Sequence, residues 1–248
     1  MVAPIFLVGS PRSGTSLAVD LFATHPEVAN WSEAGRLWDP VDYRNPEVDH
    51  YWPAERATPA QIARLHRWCE WYRCKEGKAR FVNKHPRNSV RIGYLRRVFP
   101  DARFIHVIRD GRAVVASIRT QVRSRPRRAA QPLGGFCRPP GWRTLMREDP
   151  VLENALVWRA IVRHVRQESA RLGSDYREIR YETLCAEPRR VYAELFEFAG
   201  LPAEEAALAG IPAEPLARSD AWRQTLGAEE VATVEKAAGD LLAELGYA

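Results

Sequence analysis

Short apolar runs alternate with amphipathic stretches along this chain. Ile5-Phe6-Leu7-Val8 is apolar throughout and stops at Gly9, the pattern of a strand buried on both faces. Residues 9–15 read as a loop, and helical periodicity follows to about Ala23. A second strand is predicted over Arg80–Asn83 and a helix from about Ser89 to Val98. Residues 103–108 give a third strand, after which Asp110-Gly111 opens a helix toward Val122. A long helix is expected from Pro150 to about Leu172, and a fourth strand over Glu178–Tyr181. Pro188 to Ala199 is amphipathic and closed by Gly200, and a last helix runs from Ala228 to about Leu245. Strands that alternate with helices predict βαβ units, hence a single α/β domain: a P-loop-like parallel β-sheet flanked by helices. Two stretches break the alternation. Residues 31–75 are rich in aromatics (Trp31, Trp38, Trp52, Trp68, Trp71, Tyr43, Tyr51, Tyr72), and residues 123–143, within a 121–150 insertion, in Arg, Pro and Gly. Both read as insertions or lids over the top of the sheet.

Composition narrows the classes. The 248 residues suit one domain, and 46% hydrophobic with 27% charged residues is ordinary globular usage. No apolar run has the length of a membrane span, and Met1-Val2-Ala3-Pro4 has no basic leader region, so a cytoplasmic location is expected. Cys69, Cys74, Cys137 and Cys185 form no zinc-type spacing, which predicts reduced, buried thiols and no metal. Of the 37 basic residues only Lys75, Lys78, Lys84 and Lys236 are lysines, and the net charge is +6. A basic surface fits an anionic ligand, and equally a nucleic acid.

The sharpest local signal is Gly9-Ser10-Pro11-Arg12-Ser13-Gly14-Thr15-Ser16, between a strand and a helix. Backbone N–H groups of such a loop converge on an anion, and the helix dipole favours negative charge there. The hydroxyls of Ser13, Thr15 and Ser16 are candidate donors. An NTPase places Lys just before the Ser/Thr that follows the last Gly; here Thr15 stands there and the cation is Arg12. That departure argues against a nucleotide kinase. The second signal is Arg109-Asp110 at the end of the 103–108 strand, with Ser117 about two helical turns on. Arg109 and Ser117 can face one phosphate, and ligands of open α/β sheets lie at such strand ends.

Arg12-Ser13-Gly14-Thr15 together with Arg109-Asp110 and Ser117 resembles the sulfotransferases that use 3′-phosphoadenosine-5′-phosphosulfate (PAPS). The resemblance implies transfer of a sulfuryl group to a hydroxyl or amine, with release of PAP (adenosine 3′,5′-bisphosphate). The acceptor would be a small molecule, a glycan or a peptide, and no metal is required. Ser10, Pro11, Arg12, Ser13, Gly14, Thr15 and Ser16 would hold the 5′-phosphosulfate. Arg109 and Ser117 would hold the 3′-phosphate. Arg180-Tyr181-Glu182-Thr183-Leu184 resembles the segment whose Tyr lies near the adenine, which implies that role for Tyr181. Residues 218–223 resemble a C-terminal donor-binding loop, which implies Arg218, Trp222 and Arg223. Residues 244–247, Glu-Leu-Gly-Tyr, are typical of bacterial members.

Asn83-Lys84-His85-Pro86 resembles the tyrosylprotein sulfotransferase branch, where the lysine reaches the sulfuryl oxygens. Two residues compete as general base. Glu33 has the spacing from Arg12 of that branch's catalytic glutamate. His85 is the rival, because small-molecule sulfotransferases use His. Theirs is separated from the lysine by one residue, whereas an adjacent His85 on an extended segment is expected to point away from Lys84. Glu33 is favoured. A nucleotide kinase, a non-catalytic PAP-binding protein and a basic nucleic-acid-binding protein without catalysis are the competing functions.

Overall fold

In the computed structural model, which describes residues 3–38, 45, 47–125, 131–216 and 221–247, the strand order is set by where the apolar runs can bury both faces. Strand β1 (Ile5–Val8) is fully buried and lies at the centre of a five-stranded sheet. Its neighbours are β3 (Arg80–Lys84) and β4 (Arg103–Ile108), both parallel to it. The edges are β2 (Val28–Asn30) and β5 (Tyr176–Arg180), giving the order β2-β3-β1-β4-β5. Every pairing is parallel, so all strands end on the same side.

Helices cover both faces, as a parallel sheet requires. On one face, α1 (Thr15–Phe22) and a C-terminal helix (Pro188–Ala199) pack Phe22, Tyr192 and Phe196 against Ile5, Leu7, Ile105 and Val107. On the other, Phe6, Val8 and Phe104 meet Leu95, Ile161 and Val165. There α5 (Gly111–Arg123) packs on the 20-residue helix α6 (Pro150–Ser169) and on the last helix (Ala228–Glu244), around Trp158. Among the described residues no helix is long and apolar enough to cross a membrane.

Several expectations need correction. The sheet has a fifth strand, β2, whose three residues are too short to carry a periodicity. The last strand is Tyr176–Arg180, and Tyr181 instead opens a helix, α7 (Tyr181–Ala186). Ser89 belongs to a 3₁₀ turn (Pro86–Val90) that precedes the helix Ile92–Val98, and α6 stops at Ser169. The aromatic stretch is largely scaffold. Trp38 and Trp52 are core residues, and Pro59–Lys75 forms a helix, α3, whose Thr58–Gln61 capping box and N1 proline start it. Trp68 and Trp71 on α3 are exposed. Cys69, Cys137 and Cys185 are buried free thiols as expected, but Cys74 is exposed. Tyr43 and Arg218 lie outside the described residues.

Candidate functional site

Four segments meet at the carboxyl ends of the central strands: the loop after β1, the segment after β2, the end of β3, and the β4–α5 junction. The loop after β1 folds on itself. Ser13 donates both its backbone N–H (3.1 Å) and its hydroxyl (2.7 Å) to the Ser10 carbonyl. Its hydroxyl proton is thus engaged inside the loop. From the neighbouring 3₁₀ turn, Ser89 Oγ accepts from Gly9 N (2.9 Å) and donates to Gly9 O (2.8 Å), fixing the loop's entry. Gly14 has φ +93°, and a Cβ there would lie 2.1 Å from the Tyr181 ring. Only glycine allows that ring to close against the loop.

Arg12 is exposed, with a left-handed backbone (φ 68°) that turns its side chain across the site. Its Nε donates to Ser117 Oγ at 3.1 Å. Arg109 Nη1 donates to the Arg12 carbonyl at 3.2 Å, and its guanidinium lies 4.4 Å from the centre of the Tyr181 ring. The two sequence motifs thus meet through Arg12, Arg109 and Ser117. Arg109 Nε is buried and has no hydrogen-bond partner among the described residues. A buried guanidinium N–H without an acceptor is costly, and an anion is the kind of group that could satisfy it.

On the opposite side of Arg12, Lys84 emerges from β3 almost fully buried and forms an ion pair with the exposed carboxylate of Glu33. The Glu33 backbone N–H donates to the Lys84 carbonyl at 2.8 Å. Asn83 holds this join: its amide donates to the Trp31 carbonyl and accepts from Asn88 at 2.9 Å. Glu33 has φ 52°. Among the described residues only Arg12, Glu33 and Leu133 combine a side chain with a left-handed backbone, and the first two face one cavity. Such strain persists where the surroundings fix it, and it concentrates at functional sites.

His85, expected to face away, borders the same cavity as Lys84 and Glu33; it lies just past the end of β3, where a 3₁₀ turn begins at Pro86. Its Nδ1 accepts the Arg87 backbone N–H at 3.3 Å. Burial, reinforced by Arg91, Arg87 and Lys84, holds its pKa well below the usual histidine value.

Two cavities flank Arg12. One, of about 220 Å³, is bordered by the loop, Glu33, Lys84 and His85, and on its far wall by Gln121, Gly135, Phe136 and Cys137. Ser10, Pro11, Thr15 and Ser16 line it as well. The other, of about 470 Å³, is bordered by Arg109, Ser117, Trp222 and further residues of α5. Arg12 and Gln121 line both. Tyr181 lines neither, being buried between Gly14 and Arg109. Trp222 is buried with the guanidinium groups of Arg112 and Arg223 over its ring, and the exposed Arg223 lines neither cavity. Of the described residues in 31–75, Glu33 alone reaches the smaller cavity. Asn83, Asn88 and Ser89 were not legible as site residues. Their signal is burial of polar side chains beside the loop, and burial is unreadable without the fold. Among the described residues no group of three His, Cys, Asp or Glu side chains could hold a metal ion.

The family model described as "Sulfotransferase family" matches residues 4–205. The chain belongs to the sulfotransferase family. It is 27% identical to the nodulation protein NoeE of Sinorhizobium fredii over 98% of this chain and 65% of that protein. It is 30% identical to a Drosophila melanogaster protein-tyrosine sulfotransferase over 46% of this chain and 24% of that one. The chain thus spans less than two thirds of the length of these curated relatives. Among solved sulfotransferases, the domain from the curacin biosynthetic pathway superposes with a TM-score of 0.62 at 17% identity, covering 100% of this chain and 99% of that one. A mouse sulfotransferase, SULT7A1, complexed with PAP superposes with a TM-score of 0.58 at 12% identity over 97% of this chain and 84% of that one. At these identities the superpositions establish a shared sulfotransferase fold.

Proposed function

We propose that this chain binds PAPS and transfers its sulfuryl group to a hydroxyl or amine of a small-molecule, glycan or peptide acceptor, releasing PAP. The observation that carries the reading is the position of Arg12, which separates a cavity walled by Arg109 and Ser117 from one walled by Lys84 and Glu33. A sulfuryl group in transit needs that arrangement: donor on one side, acceptor on the other, a cation between.

The residues present fit the donor. Arg109, with its unsatisfied buried Nε, and Ser117 are placed for the 3′-phosphate. The loop of residues 10–16, with the start of α1, suits the 5′-phosphosulfate through the backbone N–H groups it has left unpaired at the helix N-terminus. Tyr181 supports the donor site by holding Gly14 and Arg109. Trp222 lines the same cavity and suits contact with the nucleoside. PAPS supplies an activated sulfuryl group, whose S–O bond to the 5′-phosphate breaks as the acceptor's oxygen or nitrogen forms a bond to sulfur. Arg12 and Lys84 stabilise the negative charge that builds on the sulfuryl oxygens and the departing phosphate. Glu33 takes the acceptor's proton, and its ion pair with Lys84 aims the carboxylate into the cavity.

His85 is unsuited to that task. A neutral ring that accepts at Nδ1 carries its proton on Nε2, so no lone pair is left for the acceptor's proton. It can donate to an oxygen in the cavity. Gln121 and the Gly135–Cys137 segment form the acceptor-side wall. The test is turnover of PAPS with a panel of phenol, sugar and peptide acceptors, monitored by PAP release. Release that requires an acceptor, and that is abolished by Glu33→Gln, supports the reading. No release with any donor–acceptor pair counts against it.

A further inference from the structure

The last residues of the chain end beside the donor site, where nothing above gives them a task. The final helix stops at Glu244, and Gly246 (φ 70°) reverses the chain. Gly246 N donates to the Ala243 carbonyl (3.0 Å) and Tyr247 N to the Leu242 carbonyl (2.8 Å), a C-cap that returns Tyr247 toward the sheet. The phenol donates to Glu182 Oε2 at 2.7 Å. The other oxygen of the same carboxylate, Oε1, accepts the backbone N–H of Asp110 at 3.0 Å. That N–H belongs to the peptide joining Arg109 to Asp110.

The Tyr247 carbonyl is held as well. Arg112 Nη2 donates to it at 2.5 Å, while the same guanidinium grips the Asp110 carboxylate (Nη2 to Oδ2 2.9 Å, Nε to Oδ1 3.1 Å). From the other side Arg180 covers the Tyr247 ring at 4.2 Å and donates to the Gly246 carbonyl at 3.2 Å. Burial and the neighbouring Glu182 carboxylate raise the phenol's pKa, so it stays a donor at all working pH values.

We propose that Tyr247 and Glu182 are positioning residues that fix the Arg109–Asp110 peptide, so that the C-terminal segment sets the affinity for the donor's 3′-phosphate. This rests on the PAPS reading above. Neither residue touches the phosphate. They act through the peptide that carries Arg109, whose guanidinium would otherwise swing with an unpinned strand end. Glu182 also adjoins Tyr181, so the carboxylate that holds the peptide and the ring that stacks on Arg109 stand on the same helical turn.

The test compares PAP with AMP, which lacks only the 3′-phosphate, by titration calorimetry on the wild-type chain and on Tyr247→Phe. One lost hydrogen bond of this kind predicts that Tyr247→Phe weakens PAP binding about tenfold. AMP affinity stays within about twofold, and the KM for PAPS rises while kcat holds. Glu182→Gln, whose amide presents one accepting oxygen and a donating NH2 in place of two accepting oxygens, should fall in the same direction. A variant that binds PAP and AMP as the wild type does overturns the proposal. A variant that loses both equally overturns it too, because that marks general loosening of the fold. If the wild-type chain itself does not prefer PAP to AMP, the 3′-phosphate site is misplaced, and the donor reading fails before the latch is reached.

Discussion

Nε of Arg12 donates to Oγ of Ser117 across 105 residues of sequence, at 3.1 Å. The contact joins the loop after β1 to the helix after β4, and with Arg109 it brings three groups suited to anions into one corner. Arg109 is the strongest of them, a half-buried cation whose buried Nε–H lacks an acceptor among the described residues. Arg109→Ala should therefore weaken PAP binding by about tenfold to a hundredfold, the loss of a charge-assisted hydrogen-bonding group. Calorimetric titration with PAP checks this. Unaltered affinity would place the 3′-phosphate elsewhere.

Glu33 predicts a different signature. Glu33→Gln keeps the shape of the side chain and removes its basicity. Turnover should fall by about 10²- to 10⁴-fold while PAP binding stays near wild type. Single-turnover kinetics with saturating PAPS separate the two effects. A variant that keeps wild-type kcat would return the base to some other group.

His85 predicts by contrast what does not happen. Its lone pair is committed at Nδ1, so His85→Gln should retain most of kcat and leave the pH–rate profile without a lost histidine limb. A profile that loses an ionisation in this variant would contradict the assignment of Glu33.

Stability should decline on the acid side. Burial depresses the pKa of His85, His106 and His164 below 6.5, and that of His50 likewise. The unfolded chain binds protons at these histidines first. Their contribution is therefore present above about pH 6.5 and is lost as pH falls below it. Glu178, whose pKa is lowered to about 2 despite burial by the nearby His106 and by hydrogen bonds from Tyr176 and Arg166, acts in the same direction below its ordinary value of 4.5. Thermal melts from pH 7.5 to 4.5 should show Tm falling steadily, with a shallower slope in His85→Gln. A Tm that rises on acidification would refute the buried-neutral state of these rings.

Gly14 tests the loop itself. A methyl group at φ +93°, 2.1 Å from the Tyr181 ring, adds backbone strain to overpacking. Gly14→Ala should destabilise the chain by at least about 2 kcal/mol and weaken PAP binding. Denaturant unfolding and the same titration measure both.

The sequence carried the site's chemistry better than its architecture. Arg12, Arg109 and Ser117 were legible because each lies beside a strand whose apolar run is unmistakable, and a strand end fixes where its next residues point. Glu33 was named through the resemblance to the tyrosylprotein branch, by its distance from Arg12, while the strand before it, Val28–Asn30, was not seen: three edge residues leave no periodicity to read. His85 was expected to face away from Lys84 yet borders the same cavity, because the strand ends at Lys84 and strand alternation need not continue past it. Tyr181 looked like a strand residue since it continues the 178–180 pattern, yet tertiary packing against Gly14 sets it at a helix start. The aromatics of 31–75 could not be divided into core and surface from composition, and only the fold separates Trp38 and Trp52 from Trp68 and Trp71.

The central claim is that these motifs form one PAPS site, and the most direct measurement is the thermal shift of the chain with PAP, against ATP plus magnesium. A ligand that binds only the folded state stabilises it by about 2.7 kcal/mol at a hundred times its dissociation constant, enough to raise Tm by several degrees in a chain of this size. The account predicts a concentration-dependent rise with PAP and none of comparable size with ATP–magnesium. No response to PAP at any concentration, or a larger one to ATP–magnesium, would contradict it.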